Sequence, residues 1–224
     1  MTPPRRGLVA TLAIMGLWAA SGGPVQAGDV TAVVRDQGNQ PVEDVVVSAV
    51  PEGPAVPPPE KRGREIVDQI NLEFVPHVKP VPVGSSVYFP NKDNVRHHVY
   101  SFSPAKRFEL PLYTGTPAEP VVFDRPGIVA IGCNIHDWML GYVYVAETPY
   151  LARTGADGRA RLDNLPAGRY VVHIWHPRME GTEDATSRPV SLDRTGASDL
   201  TWQLTLKPTV RPRRAPVPGQ RGYR

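Results

Sequence analysis

Gly127-Ile128-Val129-Ala130-Ile131-Gly132-Cys133-Asn134-Ile135-His136-Asp137-Trp138-Met139-Leu140-Gly141-Tyr142-Val143-Tyr144-Val145 is the stretch on which the fold and the chemistry both turn. An apolar, β-branched run enters Cys133, a tight loop follows, and a second apolar run leaves from Gly141. This predicts two strands joined by a short connection. The loop presents a thiol, an imidazole and a thioether at C-x2-H-x2-M, as Cys133, His136 and Met139. Cys133 is the only cysteine among 224 residues. It cannot form an internal disulfide, so it is either a buried core residue or a metal ligand.

Upstream, Phe89-Pro90-Asn91-Lys92-Asp93-Asn94-Val95-Arg96-His97-His98-Val99-Tyr100 supplies two further imidazoles at the start of another predicted strand. Thiolate and thioether are soft donors that stabilise Cu(I), and imidazole also suits Cu(II), so this set can hold copper in both states in one trigonal cage with a weak axial ligand. Bound metal would also keep the thiol deprotonated and protected. Alone, His136 reads as a surface-loop histidine and Met139 as a core filler; their spacing from the single cysteine is what makes a site. Around them, Trp138 either caps the core or forms an apolar patch beside His136. Asp137 orients the imidazole or faces a basic partner, and Asn134 joins His98 among the supporting or alternative positions. His77, His173 and His176 have no cysteine or carboxylate at metal spacing and are expected to be structural.

Working outward, short β-branched and aromatic runs alternate with Gly, Pro, Asn and Asp, the pattern of an all-β sandwich. Strands are expected at 30–34, 45–50, 72–75, 86–89, 97–102, 120–123, 128–131, 141–145, 171–175 and 199–206, with a short helical or extended stretch over 65–72. Most of the 26 prolines are read as lying between strands.

At the ends, Arg5 and Arg6, an apolar run over 8–20 and Val25-Gln26-Ala27 form the three parts of a secretory signal, cleaved after Ala27. The apolar run is shorter than the ~20 residues a spanning helix needs, and no other stretch could span, so the mature form is expected to be exported, periplasmic and without a membrane span. Residues 208–224 form a basic, proline-rich tail expected to be disordered. Without signal and tail, the body over 28–207 holds 18 basic and 22 acidic residues, a net of −4. That sign argues against nucleic acid as a partner.

The Cys133–Met139 loop resembles the ligand loop of cupredoxins, and its short spacing is closer to amicyanin than to plastocyanin or azurin. The upstream N-x-D-x-x-x-H-H-V-Y-S-F and F-E-L-P-L-Y runs resemble plastocyanin-like proteins of the methylamine-utilisation type. The resemblance covers about 66–147 and implies Cys133, His136, Met139 and one of the paired histidines as ligands of one type 1 (blue) copper. Relatives usually carry His-Asn-Val at the fourth ligand. Aligning that with His97-His98-Val99 implies His97 as ligand, with His98 in the place of the asparagine that ties this strand to the cysteine loop. The departure from asparagine leaves His98 open as the ligand. Strand alternation places His97 with Val95 and Val99, and His98 with Arg96 and Tyr100.

The flanking segments GDVTAVVRDQGNQPVEDVVVSAV and TGADGRARLDNLPAGRYVVHIWHP resemble two halves of a transthyretin-like (carboxypeptidase regulatory-like) module. The implied organisation is a signal over 1–27, a transthyretin-like β-sandwich over 28–52 plus 148–207, and a Pro-rich linker over 53–65. A cupredoxin-like Greek-key domain over 66–147 is inserted in that module, and a tail follows over 208–224. Insertion in a surface loop is well tolerated by loop-closure entropy. The expected function is carriage of single electrons between periplasmic redox proteins such as a c-type cytochrome or a dehydrogenase, not an enzyme. The alternative is copper binding or delivery, or a structural sandwich without electron transfer. A copper oxidase or nitrite reductase would need a second, substrate-accessible copper and more histidine clusters than remain.

Overall fold

The computed structural model describes residues 27–53, 64–117, 119–193 and 196–209. The expected signal up to Gln26, most of the Pro-rich linker and most of the basic tail lie outside the described residues. The described chain is all-β: its one helical element is a single 3-10 turn, Asp184–Thr186. The first segment contributes β1 (Ala27–Asp36) and β2 (Val46–Pro51). The middle contributes β3 (Glu65–Ile66), β4 (Asp68–Ile70), β5 (Glu73–Val75), β6 (Val78–Pro82), β7 (Ser85–Tyr88) and β8 (His97–Ser103). It continues with β9 (Lys106–Tyr113), β10 (Val121–Phe123), β11 (Gly127–Cys133) and β12 (His136–Ala146). The last segment adds β13 (Leu151–Arg153), β14 (Arg159–Pro166), β15 (Gly168–Trp175), β16 (Arg188–Leu192) and β17 (Ala197–Leu204).

These strands sort into sheets by chain segment. First and last segments build a sheet in the order β14-β1-β17 and another in the order β13-β2-β15-β16. The middle segment builds a five-stranded sheet, β6-β12-β11-β8-β9, a three-stranded sheet, β10-β7-β3, and the small hairpin β4-β5. Two apolar cores follow. One gathers Val30, Ala32 and Val34 of β1 with Val47 and Ala49 of β2, Val172 and Ile174 of β15, and Trp202. The other gathers Val87, Phe89, Val99, Phe123, Val129, Ile131 and Val143. Period-two alternation explains the first: in β1 Val30, Ala32 and Val34 are buried while Thr31 and Val33 are only partly so.

Strand β12 belongs to both cores. Val143 and Val145 enter the second, whereas Tyr144 and Ala146 enter the first, with Tyr142 packed against it. The rings of Tyr142 and Tyr144 lie 5.8 and 5.5 Å from that of Trp175, and the Tyr144 hydroxyl donates to Glu183. Trp175 neighbours Val46 across β15-β2, so this sheet is covered on both faces, and Val46, Val47, Ser48 and Ala49 are all buried in succession. A tight turn locks the first core at the other end. Gly158 has φ +72, and a Cβ there would lie 2.5 Å from the Val34 carbonyl oxygen, which only glycine avoids.

The stretch over 65–72 is extended as β3 and β4 followed by a turn, not helical. Prolines also lie inside strands, contrary to expectation: Pro80 and Pro82 in β6, Pro111 in β9 and Pro189 in β16. All three strands are sheet edges. A residue without an N–H is tolerated there because one side of the strand has no ladder to complete.

Candidate metal centre

Cys133 is the last residue of β11 and His136 the first of β12, and the two are paired across the turn at Asn134 and Ile135. The second strand therefore begins at His136 rather than at Gly141, and Trp138 and Met139 lie within it. A register shift between Gly132 and Cys133 breaks the ladder where the sulfur must turn inward. On the other side of β11, Cys133 pairs with Val99 of β8, which brings His97 at the head of β8 beside the sulfur.

Three side chains converge here. His97 Nδ1 lies 3.1 Å from His136 Nδ1, Cys133 Sγ lies 3.5 Å from His136 Nδ1, and Cys133 Sγ lies 3.8 Å from His97 Nδ1. The point equidistant from the corners of that triangle is about 2.0 Å from each. First-row metal bonds to imidazole nitrogen are ~2.0–2.1 Å and to thiolate sulfur ~2.3 Å. The three donors therefore fit one metal ion with little movement. Among the described residues, His97, Cys133 and His136 are the one group of three or more His, Cys, Asp or Glu side chains gathered at metal-holding distance.

Burial and hydrogen bonding prepare the donors. His97 is fully buried and Cys133 is 4% exposed, while the His136 ring is only partly covered. Burial lowers the His136 pKa, the nearby His97 ring lowers it further, and Asp93 opposes both. The lowered pKa favours the neutral imidazole, the form whose lone pair can bind metal. His97 Nε2 lies 2.8 Å from Asp93 Oδ2. A proton held on Nε2 by that carboxylate leaves Nδ1 as the donor atom facing Cys133.

Met139 is 2% exposed and lies in the same core as Cys133 and Val99. His98 points elsewhere: its Nε2 is 3.0 Å from Glu109 Oε1 and its ring 5.9 Å from that of Tyr100. None of these contacts is with the loop after Cys133. Trp138 packs partly on the core with its ring 5.3 Å from the His136 ring, and Asn134 and Asp137 are exposed. His77 meets the Leu140 carbonyl oxygen at 3.0 Å, His173 meets Ser187, and His176 accepts from the Arg178 N–H, all outside the cluster. Asp93 was not singled out from sequence. Its signal was the Asp four residues before His97, within reach of the ring when the connecting loop folds back.

No family model matches the chain, and no curated protein sequence matches it. Solved structures do show similarity. A Cu-containing nitrite reductase (NirK) from Thermus scotoductus SA-01 aligns at 26% identity over 39% of this chain, with a TM-score of 0.36. The aligned part spans only 23% of that enzyme's length. A purple cupredoxin from Nitrosopumilus maritimus aligns at 23% identity over 37% of this chain and 99% of its own, with a TM-score of 0.33. A reduced Cu(I) form of an amicyanin variant aligns at 21% identity over 45% of this chain and 98% of its own, with a TM-score of 0.34. No helix among the described residues is long and apolar enough to cross a membrane.

Proposed function

We propose that this chain is an exported, periplasmic carrier of single electrons with one type 1 copper, which His97, Cys133 and His136, together with Met139, would hold. The observation that carries the reading is the triangle of two Nδ1 atoms and one Sγ, whose centre lies at metal-bond distance from all three. Bound copper would supply a one-electron couple between Cu(I) and Cu(II). The chain's own groups do the rest. The β8-β11-β12 sheet fixes the donors, the core around Val99, Phe89 and Met139 excludes water, and His136 is the ligand whose ring reaches the surface. That edge, with Trp138 beside it and Ile135 48% exposed, is the port through which electrons enter and leave. Partners are periplasmic redox proteins such as a c-type cytochrome or a dehydrogenase, met through a small transient interface.

The organisation behind the site is a cupredoxin-like domain over 66–147 inserted in a transthyretin-like sandwich over 28–52 and 148–207. It rests on the segregation of the sheets by chain segment. Copper analysis during repeated reduction and oxidation tests the function. A carrier of electrons retains one copper per chain throughout. Loss of copper on each reduction would mark a delivery protein instead, and two or more coppers per chain would reopen enzyme chemistry.

A further inference from the structure

The hairpin β4-β5 has two three-residue strands and a turn whose central residues, Asn71 and Leu72, have φ of 55° and 60°. Such a turn suits the twist of a hairpin, but its second central position is ordinarily glycine, and a bulky leucine there is under strain. Strain of this kind persists where the surroundings over-determine it. Here the two N–H groups that the left-handed pair presents have one target. Asn71 N–H donates to Asp93 Oδ1 at 2.7 Å and Leu72 N–H to Asp93 Oδ2 at 3.0 Å. The same Oδ2 faces His97 Nε2, and the Asp93 N–H is held by Asn91 Oδ1 at 3.0 Å.

Resting on the copper reading above, we propose that Asp93, clamped by the β4-β5 turn, is a positioning residue that sets the tautomer, the ring angle and the electron donation of His97, and thereby the affinity and potential of the metal. The hairpin is itself anchored. Gln69 is fully buried, its N–H donates to the Pro90 carbonyl at 2.9 Å, its carbonyl accepts from Lys92 N–H at 3.0 Å, and the Lys92 ammonium pairs with Asp68 at 2.7 Å. A two-stranded ribbon this short has little stability of its own, so these anchors place the turn. An anion one imidazole away from the metal favours the more positive oxidation state.

Two measurements test the device. In 15N-labelled, metal-free chain, NMR of the His97 ring should show the proton on Nε2. A proton on Nδ1 overturns the proposal, and this result needs neither copper nor a variant. With copper, Asp93→Asn keeps an acceptor but removes the charge. Affinity should fall about 10–100-fold and the reduction potential should move positive, while Cys133 remains a ligand by its absorption band. If wild-type protein gives the band and the variant matches it in both affinity and potential, the positioning role is wrong although the copper reading stands. If wild type gives no band, it is the copper reading that fails.

Discussion

At the residue scale, the site separates donors that fix geometry from one that tunes it. His97, Cys133 and His136 converge, and Met139 is buried in the same core as Cys133. If Met139 is the fourth ligand, Met139→Leu lowers the coordination number, which costs Cu(II) more than Cu(I), so copper should stay bound while the reduction potential rises, measured by redox titration. An unchanged potential and spectrum would remove Met139 from the ligand set. The proximity of Cys133 and His136 was legible because they lie three residues apart, whereas of Met139 the structure shows burial in the same core. The choice between His97 and His98 was harder, since alternation says which residues share a face but not which face is inside. The contact of His98 with Glu109, more than ten residues away on β9, was outside what spacing could show. The spacing of Asp93 four residues before His97 is a signal only if the loop between them folds back, as it does here.

At the scale of elements, strands with apolar runs are legible, the edge strands β10 and β17 among them, and the edge strands that contain proline are not. β1, β11 and β15 carry apolar β-branched runs, whereas β6, β9 and β16 contain proline, which locally signals a connection. Their pairing on one side only is a property of the assembled sheet, not of the local sequence. The ligand loop shortened for a similar reason: pairing of Cys133 with His136 carries the ladder to the turn itself. Element packing sets a second prediction. A Cβ on Gly141 would lie 2.9 Å from Phe74 Cβ and 3.3 Å from the Ile131 side chain. Both neighbours are in the buried core, so Gly141→Ala should destabilise the chain by about 1–3 kcal/mol through overpacking. Urea unfolding of metal-free protein measures this; no loss would mean that β5 and β12 can separate without penalty.

At the scale of the whole molecule, β12 joins the His97–Cys133–His136 cluster at its start to the first core at its end, where Tyr142 and Tyr144 meet Trp175. Next to that contact His176 is 7% exposed. Burial, then the charge of Arg178, then His77 push its pKa from 6.5 down to about 4. The folded chain favours neutral His176, while the unfolded chain takes up a proton as pH falls below 6.5. Stability from this group is therefore complete above about pH 6.5 and is lost as pH falls through about 4, on the order of 3 kcal/mol in all. Thermal melts of metal-free protein across that window should show the decline, and His176→Gln should flatten it; an unflattened profile would place the acid sensitivity elsewhere. The sheets that join the first chain segment to the last are a property of the assembled chain. The sharing of β12 was not visible in the sequence, because Tyr142, Val143, Tyr144 and Val145 are all apolar and give no sign that each face has a different partner.

The most direct measurement is the absorption and electron spin resonance spectrum of the chain loaded with one equivalent of Cu(II). Convergence of Cys133 with His97 and His136 on one ion predicts an intense thiolate-to-copper visible band that disappears on reduction and is absent in Cys133→Ser. Copper that binds without such a band, with Cys133 still reactive toward thiol reagents, would contradict it.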